Sequence, residues 1–175
     1  MANADQYIQY NNAAFISQFP AGRFSANQAY NTNWFDEITQ TGVYTQNNVS
    51  VSGSAENIKY FFSVGNYEEE GILKGTEYGR TTFRSNNEYK ISEKLKISQN
   101  FSVSSIKNTP QPMSAFTSAY RQSPLVPVRY ADGKYGVPFI LNGVVGETGD
   151  SFNSVGNPVV ALDYNKKKKK TVMLQ

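Results

Sequence analysis

A chain of 175 residues with no Cys and no His has no disulfide framework and no thiolate chemistry, and it lacks the commonest general base and metal ligand. Its formal charge of +3 rests on the five lysines at 166–170; without them the chain is weakly acidic, so the basic character belongs to one run and not to a nucleic-acid-binding surface. Only 39% of residues are hydrophobic, yet 14% are aromatic, with 12 Tyr and 11 Phe; this mixture suits strands with one apolar and one wet face better than a helical bundle.

The opening Met1-Ala2-Asn3-Ala4-Asp5 has neither a basic n-region nor an apolar h-region, and no apolar run approaches the ~18 residues of a membrane-spanning helix. Residues 1–42 are rich in Asn, Gln and aromatics. They predict a helix over 4–16 and a short one over 34–38, with Asn33 as its N-cap and Asp36 and Glu37 in its first turn. Pro20 and Gly22 mark irregular chain between them.

From Val43 the pattern changes to period two. Over 44–52, Val49 and Val51 alternate with Ser50 and Ser52. Over 58–67, Ile58, Tyr60, Phe62 and Val64 alternate with Lys59, Phe61, Ser63 and Gly65. Over 80–91, Phe83, Tyr89 and Ile91 oppose Thr82, Arg84, Asn86, Glu88 and Lys90. Over 95–105, Leu95, Ile97, Phe101 and Val103 oppose Lys96, Ser98, Asn100, Ser102 and Ser104.

The connections alternate in length: 53–57 is short, 68–79 longer, and 92–94 tight. The connection from 108 to about 164 is far longer than compact soluble domains usually carry. Within it, 113–122 predicts an amphipathic turn or two with Met113, Phe116 and Tyr120 on one side. Pro124, Pro127, Gly133, Gly136 and Pro138 keep the following chain irregular. Residues 171–175 begin a fifth strand that is expected to stop without a partner.

Alternation alone says that one face is apolar, and two architectures use it. In a soluble sandwich that face packs inward against a second sheet; in a transmembrane barrel it meets lipid while the polar face lines the lumen. Strand lengths near the ~9–11 residues of a tilted crossing favour the barrel. So do Tyr44, Tyr60, Tyr67 and Tyr89 near strand ends, where interfacial girdles form, and the alternation of short and long connections. The soluble β-sandwich, as a carbohydrate-binding or adhesion module, stays open on this reading.

A resemblance bears on that choice. Asn31-Thr32-Asn33-Trp34-Phe35-Asp36-Glu37-Ile38, followed by Gln46-Asn47-Asn48-Val49-Ser50-Val51-Ser52-Gly53, resembles the early barrel of SusC/RagA-like, TonB-dependent outer-membrane transporters. Tyr60-Phe61-Phe62-Ser63-Val64-Gly65, Glu70-Gly71-Ile72, Arg84-Ser85-Asn86 and Leu95-Lys96-Ile97 continue it. Ser123-Pro124-Leu125, Asp132-Gly133-Lys134-Tyr135 and Asn157-Pro158-Val159 fit an outer loop of that family. Asn33 stands where Asp is usual, and Asn87 takes an outward position that is normally apolar.

The resemblance implies an all-β fold: a partial antiparallel transmembrane β-barrel meander with long outer loops and a little helix. Residues 1–42 are then an outer loop between a missing first barrel strand and the second. Residues 43–107 hold four antiparallel barrel strands, 108–164 a long outer loop, and 165–175 the start of a further strand. The parent protein would reside in the cell outer membrane and import oligosaccharides or peptides. Its partners would be a SusD-like surface lipoprotein, TonB and membrane lipid, with no nucleic acid and no cofactor; the chain alone would not transport. Thr82, Arg84, Asn86, Glu88, Lys90, Lys96, Ser98 and Asn100 are expected to face the lumen. Val49, Val51, Tyr60, Phe62, Val64, Phe83, Tyr89, Ile91, Leu95, Ile97, Phe101 and Val103 are expected to face lipid.

Sharper chemical readings find little support. Glu68-Glu69-Glu70 are adjacent, whereas a glycosidase pair needs separation across a cleft, so loop charge is the expectation. The lysine run reads as exposed loop charge, with contact to lipopolysaccharide phosphate the alternative. Asp132-Gly133 reads as a turn, since the acidic spacing of a calcium loop is absent. Trp34 and Tyr130 could stack on sugars or pack within the loops. With no His, no Cys and no separated acid pair, no enzyme is expected and no catalytic or metal site is assigned.

Overall fold

The computed structural model describes residues 1–165 and 168–175. The chain forms two compact units, one built from Met1–Gln40 with Pro112–Asn165, the other from Thr41–Gln111 with residues 168–175.

The second unit is an antiparallel sheet. Its strands are β1 (Val43–Ala55), β2 (Ile58–Glu70), β3 (Glu77–Ser92), β4 (Leu95–Thr109) and β8 (Lys169–Leu174), in the order β1-β2-β3-β4-β8. The four long strands form a meander, as the alternation predicts, but each runs past its expected end. Thirteen to sixteen residues are paired because the ladder continues where the side-chain alternation no longer carries an apolar signal. Two-residue turns at Glu56-Asn57 and Glu93-Lys94 close the β1–β2 and β3–β4 hairpins, and 71–76 is the longer connection. The β3–β4 register shifts between Lys90 and Ser92, so Ile91 sits in a bulge.

Two expectations at the C-terminal end are corrected. The last strand does have a partner: Lys169–Leu174 pairs with β4, from Asn108↔Lys169 to Val103↔Leu174. The lysine run is not all loop, because Lys169 and Lys170 belong to this strand, while Lys166 and Lys167 lie outside the described residues.

The first unit holds the helices. Helix α1 (Ala4–Ala14) is closed by a capping box, with the Asn3 side chain accepting from the Gln6 N–H and the Gln6 side chain from the Asn3 N–H. Helix α2 (Trp34–Ile38) starts after Asn33 as expected, but that side chain makes no capping hydrogen bond; its amide donates to the Asp36 carboxylate instead, at 2.6 Å. Helix α3 (Met113–Arg121) forms where an amphipathic turn is expected; it buries Ala115 and Ala119, while Met113 and Tyr120 are 65% and 78% exposed. Helix α4 (Pro158–Asp163) is capped by Asn157 with Pro at its first turn.

Residues expected to stay irregular also form a small sheet of β5 (Phe139–Leu141), β6 (Val144–Gly146) and β7 (Asp150–Ser151), in the order β6-β5-β7. Asn142 (φ 51°) and Gly143 (φ 76°) make the two-residue turn of its hairpin. An Asn-Gly pair between Phe139-Ile140-Leu141 and Val144-Val145-Gly146 is a strong hairpin signal that the sequence reading passed over.

The core of this unit gathers Trp34, Ile38, Leu125, Val126 and Pro158, all fully buried. The Trp34 indole donates to the Ser123 carbonyl at 2.8 Å, and Thr32 bonds the carbonyls of Pro124 and Val126. Buried Gln122 donates to the Val155 carbonyl and accepts from the Ser123 N–H. Asn157 both caps α4 and donates to the carbonyls of Val128 and Gly136. The short motifs around Ser123 and Asn157 are therefore polar nodes that satisfy buried backbone in an otherwise irregular segment. Among the described residues no helix is long and apolar enough to cross a membrane.

Candidate functional site: the two faces of the sheet

The register sorts the side chains of the large sheet into two faces, because successive residues point to opposite sides. Reading across β1-β2-β3-β4, one face carries Val49·Val64·Phe83·Val103, then Val51·Phe62·Ser85·Phe101, then Gly53·Tyr60·Asn87·Gln99, then Ala55·Ile58·Tyr89·Ile97. The twelve residues expected on the apolar side fall on this face or, for Ile91 and Leu95, at its hairpin end. Among the described residues nothing covers it: Val49 is 74% exposed, Phe62 37% and Phe101 38%. A sandwich would bury those three, so the sandwich reading loses its main requirement.

Two small polar residues interrupt this face under the aromatic rings. Ser85 and Asn87 are buried, flanked by Phe62, Phe101 and Tyr60 as ladder neighbours. The Asn87 amide donates to Ser85 Oγ at 3.0 Å, while its Oδ1 is buried with no hydrogen-bond partner. Asn87 is thus shielded by its neighbours. Gly53 leaves room for the Tyr60 ring, which occupies the space that a Cβ at 53 would need.

The opposite face is mostly polar, with Phe61 and Ile106 as its apolar exceptions. Its rows are Tyr44·Glu69·Tyr78·Asn108, Gln46·Tyr67·Arg80·Ile106, Asn48·Gly65·Thr82·Ser104, Ser50·Ser63·Arg84·Ser102, Ser52·Phe61·Asn86·Asn100 and Ser54·Lys59·Glu88·Ser98, with Lys90 opposite Lys96 at the hairpin end. All eight residues expected on the polar side are brought together here. Glu88 lies 3.8 Å from Lys59 and 3.9 Å from Lys96, so one carboxylate is shared between two ammonium groups at this end. Thr82 and Ser104 share a hydrogen bond of 3.0 Å.

Tyr44 and Tyr67 are also on this face, which corrects their expected place in an interfacial girdle. With Tyr78 they form an aromatic row, ring centroids 6.1 and 6.0 Å apart, and the Tyr67 hydroxyl donates to Glu69. Strand-end position suggested a girdle, but the parity of their numbers against Val49 and Val64 was the signal that placed them on the other side.

The residues weighed for sugar stacking in the first unit are packed instead. Trp34 is fully buried; Tyr130 is 7% exposed and donates to the Gly146 carbonyl, and burial pushes its phenol pKa up. Asp132-Gly133 is a turn, with Gly133 at φ 86° and the Lys134 N–H donating to Asp132 Oδ1. Beside it, Asp163 accepts from both Arg129 and Tyr135, and the guanidinium lies 3.9 Å from the Tyr135 ring centre.

Among known proteins, no family profile matches the chain. It is 30% identical over 105 residues to TonB-dependent receptor P26 of Formosa agariphila, an alignment covering 60% of this chain and 10% of that protein. It is 27% identical over 145 residues to TonB-dependent receptor P3 of the same organism, covering 77% and 14%. With TonB-dependent receptor SusC of Bacteroides thetaiotaomicron it shares 34% identity over 80 residues, covering 46% and 8%. The matched relatives are receptors of the TonB-dependent class, and none is named as an enzyme. The resemblance to SusC-like TonB-dependent receptors, read above from short motifs, is borne out; the matched stretch spans 8% to 14% of each relative's length.

Proposed function

We propose that this chain is a stretch of barrel wall in an outer-membrane, TonB-dependent transporter that imports oligosaccharides or peptides. The observation that carries the reading is the uncovered apolar face, backed strand for strand by a mostly polar one. From Leu95 to Val103 the apolar band spans about 27 Å along β4 at roughly 3.4 Å per residue. A strand tilt of about 40° reduces that to about 21 Å, close to the ~25 Å lipid-facing band of outer-membrane barrels. The polar rows then line the lumen, where Arg84 and Glu88 meet water. The similarity to SusC supports, within this reading, a SusD-like lipoprotein as lid, TonB as the energy source and the outer membrane as location, with residues 1–42 and 108–164 as outer loops.

The test is cysteine accessibility in the receptor carrying this sequence, which has no native Cys in this stretch. Arg84→Cys and Ser98→Cys react with small water-soluble thiol reagents, and Ile97→Cys and Phe101→Cys do not. The reverse pattern shows that the faces have been assigned the wrong way round.

A further inference from the structure

The polar face is not uniform in charge. At its hairpin end Glu88 answers Lys59 and Lys96. Further along, Arg80 and Arg84 are exposed, and among the described residues no carboxylate pairs with either. Leaving two guanidinium groups without an acid partner leaves their strongest hydrogen-bonding capacity unused, since the planar fork matches a carboxylate or sulfate two bonds at a time.

Their surroundings narrow the ligand. Arg80, Thr82 and Arg84 form the common wall of two hollows of about 250 and 210 Å³. Ser63 lines the first, Ser102 and Ser104 the second, and Gln46 and Asn48 add amides to the first. Hydroxyls and amides in that density answer sugar hydroxyls, and neither hollow offers a closed apolar pocket for a peptide side chain. Tyr67 lies directly across from Arg80 and Tyr78 one row outward, and the Tyr44, Tyr67 and Tyr78 rings present aromatic surface on which a pyranose ring can pack.

From this juxtaposition, and resting on the barrel-wall reading, we infer that Arg80 and Arg84 form an oxyanion subsite for acidic saccharides. The guanidinium forks take the sugar's carboxylate or sulfate, Thr82 and the serines take its hydroxyls, and the tyrosine row takes a ring. The cluster around Glu88 takes no part, because Lys59 and Lys96 already share that carboxylate and an ammonium offers no planar fork.

Isothermal titration of the detergent-purified receptor tests this with three probes: trigalacturonate, a sulfated carrageenan tetrasaccharide and neutral maltotriose. At least one acidic probe binds about tenfold or more tightly than maltotriose, and which of the two does so names the oxyanion. Arg80→Gln and Arg84→Gln each weaken that binding by about tenfold and leave maltotriose unchanged, while Arg84→Lys, which keeps the charge and loses the fork, falls between. Equal binding of acidic and neutral probes, or no response to either substitution, overturns the inference. The cysteine-labelling pattern separates the two readings. Labelling at 84 and 98 with none at 97, together with failed titrations, sinks the subsite alone; the reverse labelling pattern sinks both.

Discussion

Replacing Leu125 by Ala tests whether the irregular segment has a true core. Leu125 is fully buried, and its neighbours in sequence are pinned on both sides: the Ser123 carbonyl accepts from Trp34, and those of Pro124 and Val126 from Thr32. The backbone therefore cannot easily collapse into the space left. The substitution removes three carbons, or about 2.4 kcal/mol at ~0.8 kcal/mol each. The unfilled cavity raises the cost to roughly 3–4 kcal/mol. With a urea dependence of about 2 kcal/mol per molar, the unfolding midpoint of this unit drops by about 1.5–2 M. The reporter is built in, since Trp34 is the one tryptophan of the chain and is itself fully buried. Its emission is blue-shifted when folded and moves to the red on unfolding, so a urea titration of the purified chain in detergent micelles reads the transition directly. A midpoint shift below about 0.5 M with unchanged folded emission would refute the packing argument.

Three further outcomes follow from particular residues. Asn87→Val removes a buried amide whose Oδ1 has no partner, so it raises the thermal midpoint of the folded receptor by the equivalent of about 1 kcal/mol; a loss of stability would show that the amide is satisfied. Val64→Arg, on the apolar face, costs about 2–4 kcal/mol at mid-depth, while Ser63→Arg next to it is tolerated, and the yield of folded receptor on unheated gels discriminates the two. Equal yields would count against a lipid-facing assignment. At the Asp132-Gly133 turn, the Lys134 ammonium and then the Lys134 N–H hold the Asp132 carboxyl below the usual carboxylate range. A depressed folded pKa stabilises the turn above the unfolded value and loses that stabilisation as pH falls through the folded one. Lys134→Ala moves the NMR titration of Asp132 up toward the ordinary carboxylate range; identical titrations in the two proteins refute the pairing.

What the sequence determined by itself was the sheet. Period-two alternation is a local property of each strand, and the short turns at 56–57 and 93–94 carry it from one strand to the next, so the two faces could be read residue by residue from Val49 to Val103. The resemblance to SusC-like receptors was legible for a related reason: its motifs include Asn157 and Ser123, whose side chains accept from the backbone N–H groups of Val159 and Leu125.

Only the tertiary structure decided the rest. Whether β8 has a partner depends on chain more than sixty positions away, at Val103 to Asn108, and no local pattern encodes that pairing. The buried side of α3 is set by what packs against it, so Ala115 and Ala119 go inside while the larger Met113 and Tyr120 stay out. Tyr44, Tyr67 and Tyr78 become a row only because the register aligns three strands, and Arg80 and Arg84 stand out only once Glu88 is seen to serve Lys59 and Lys96 instead. Alternation is local and survives in one dimension; pairing, burial and the matching of charges are sums over distant neighbours, and those exist only in the fold.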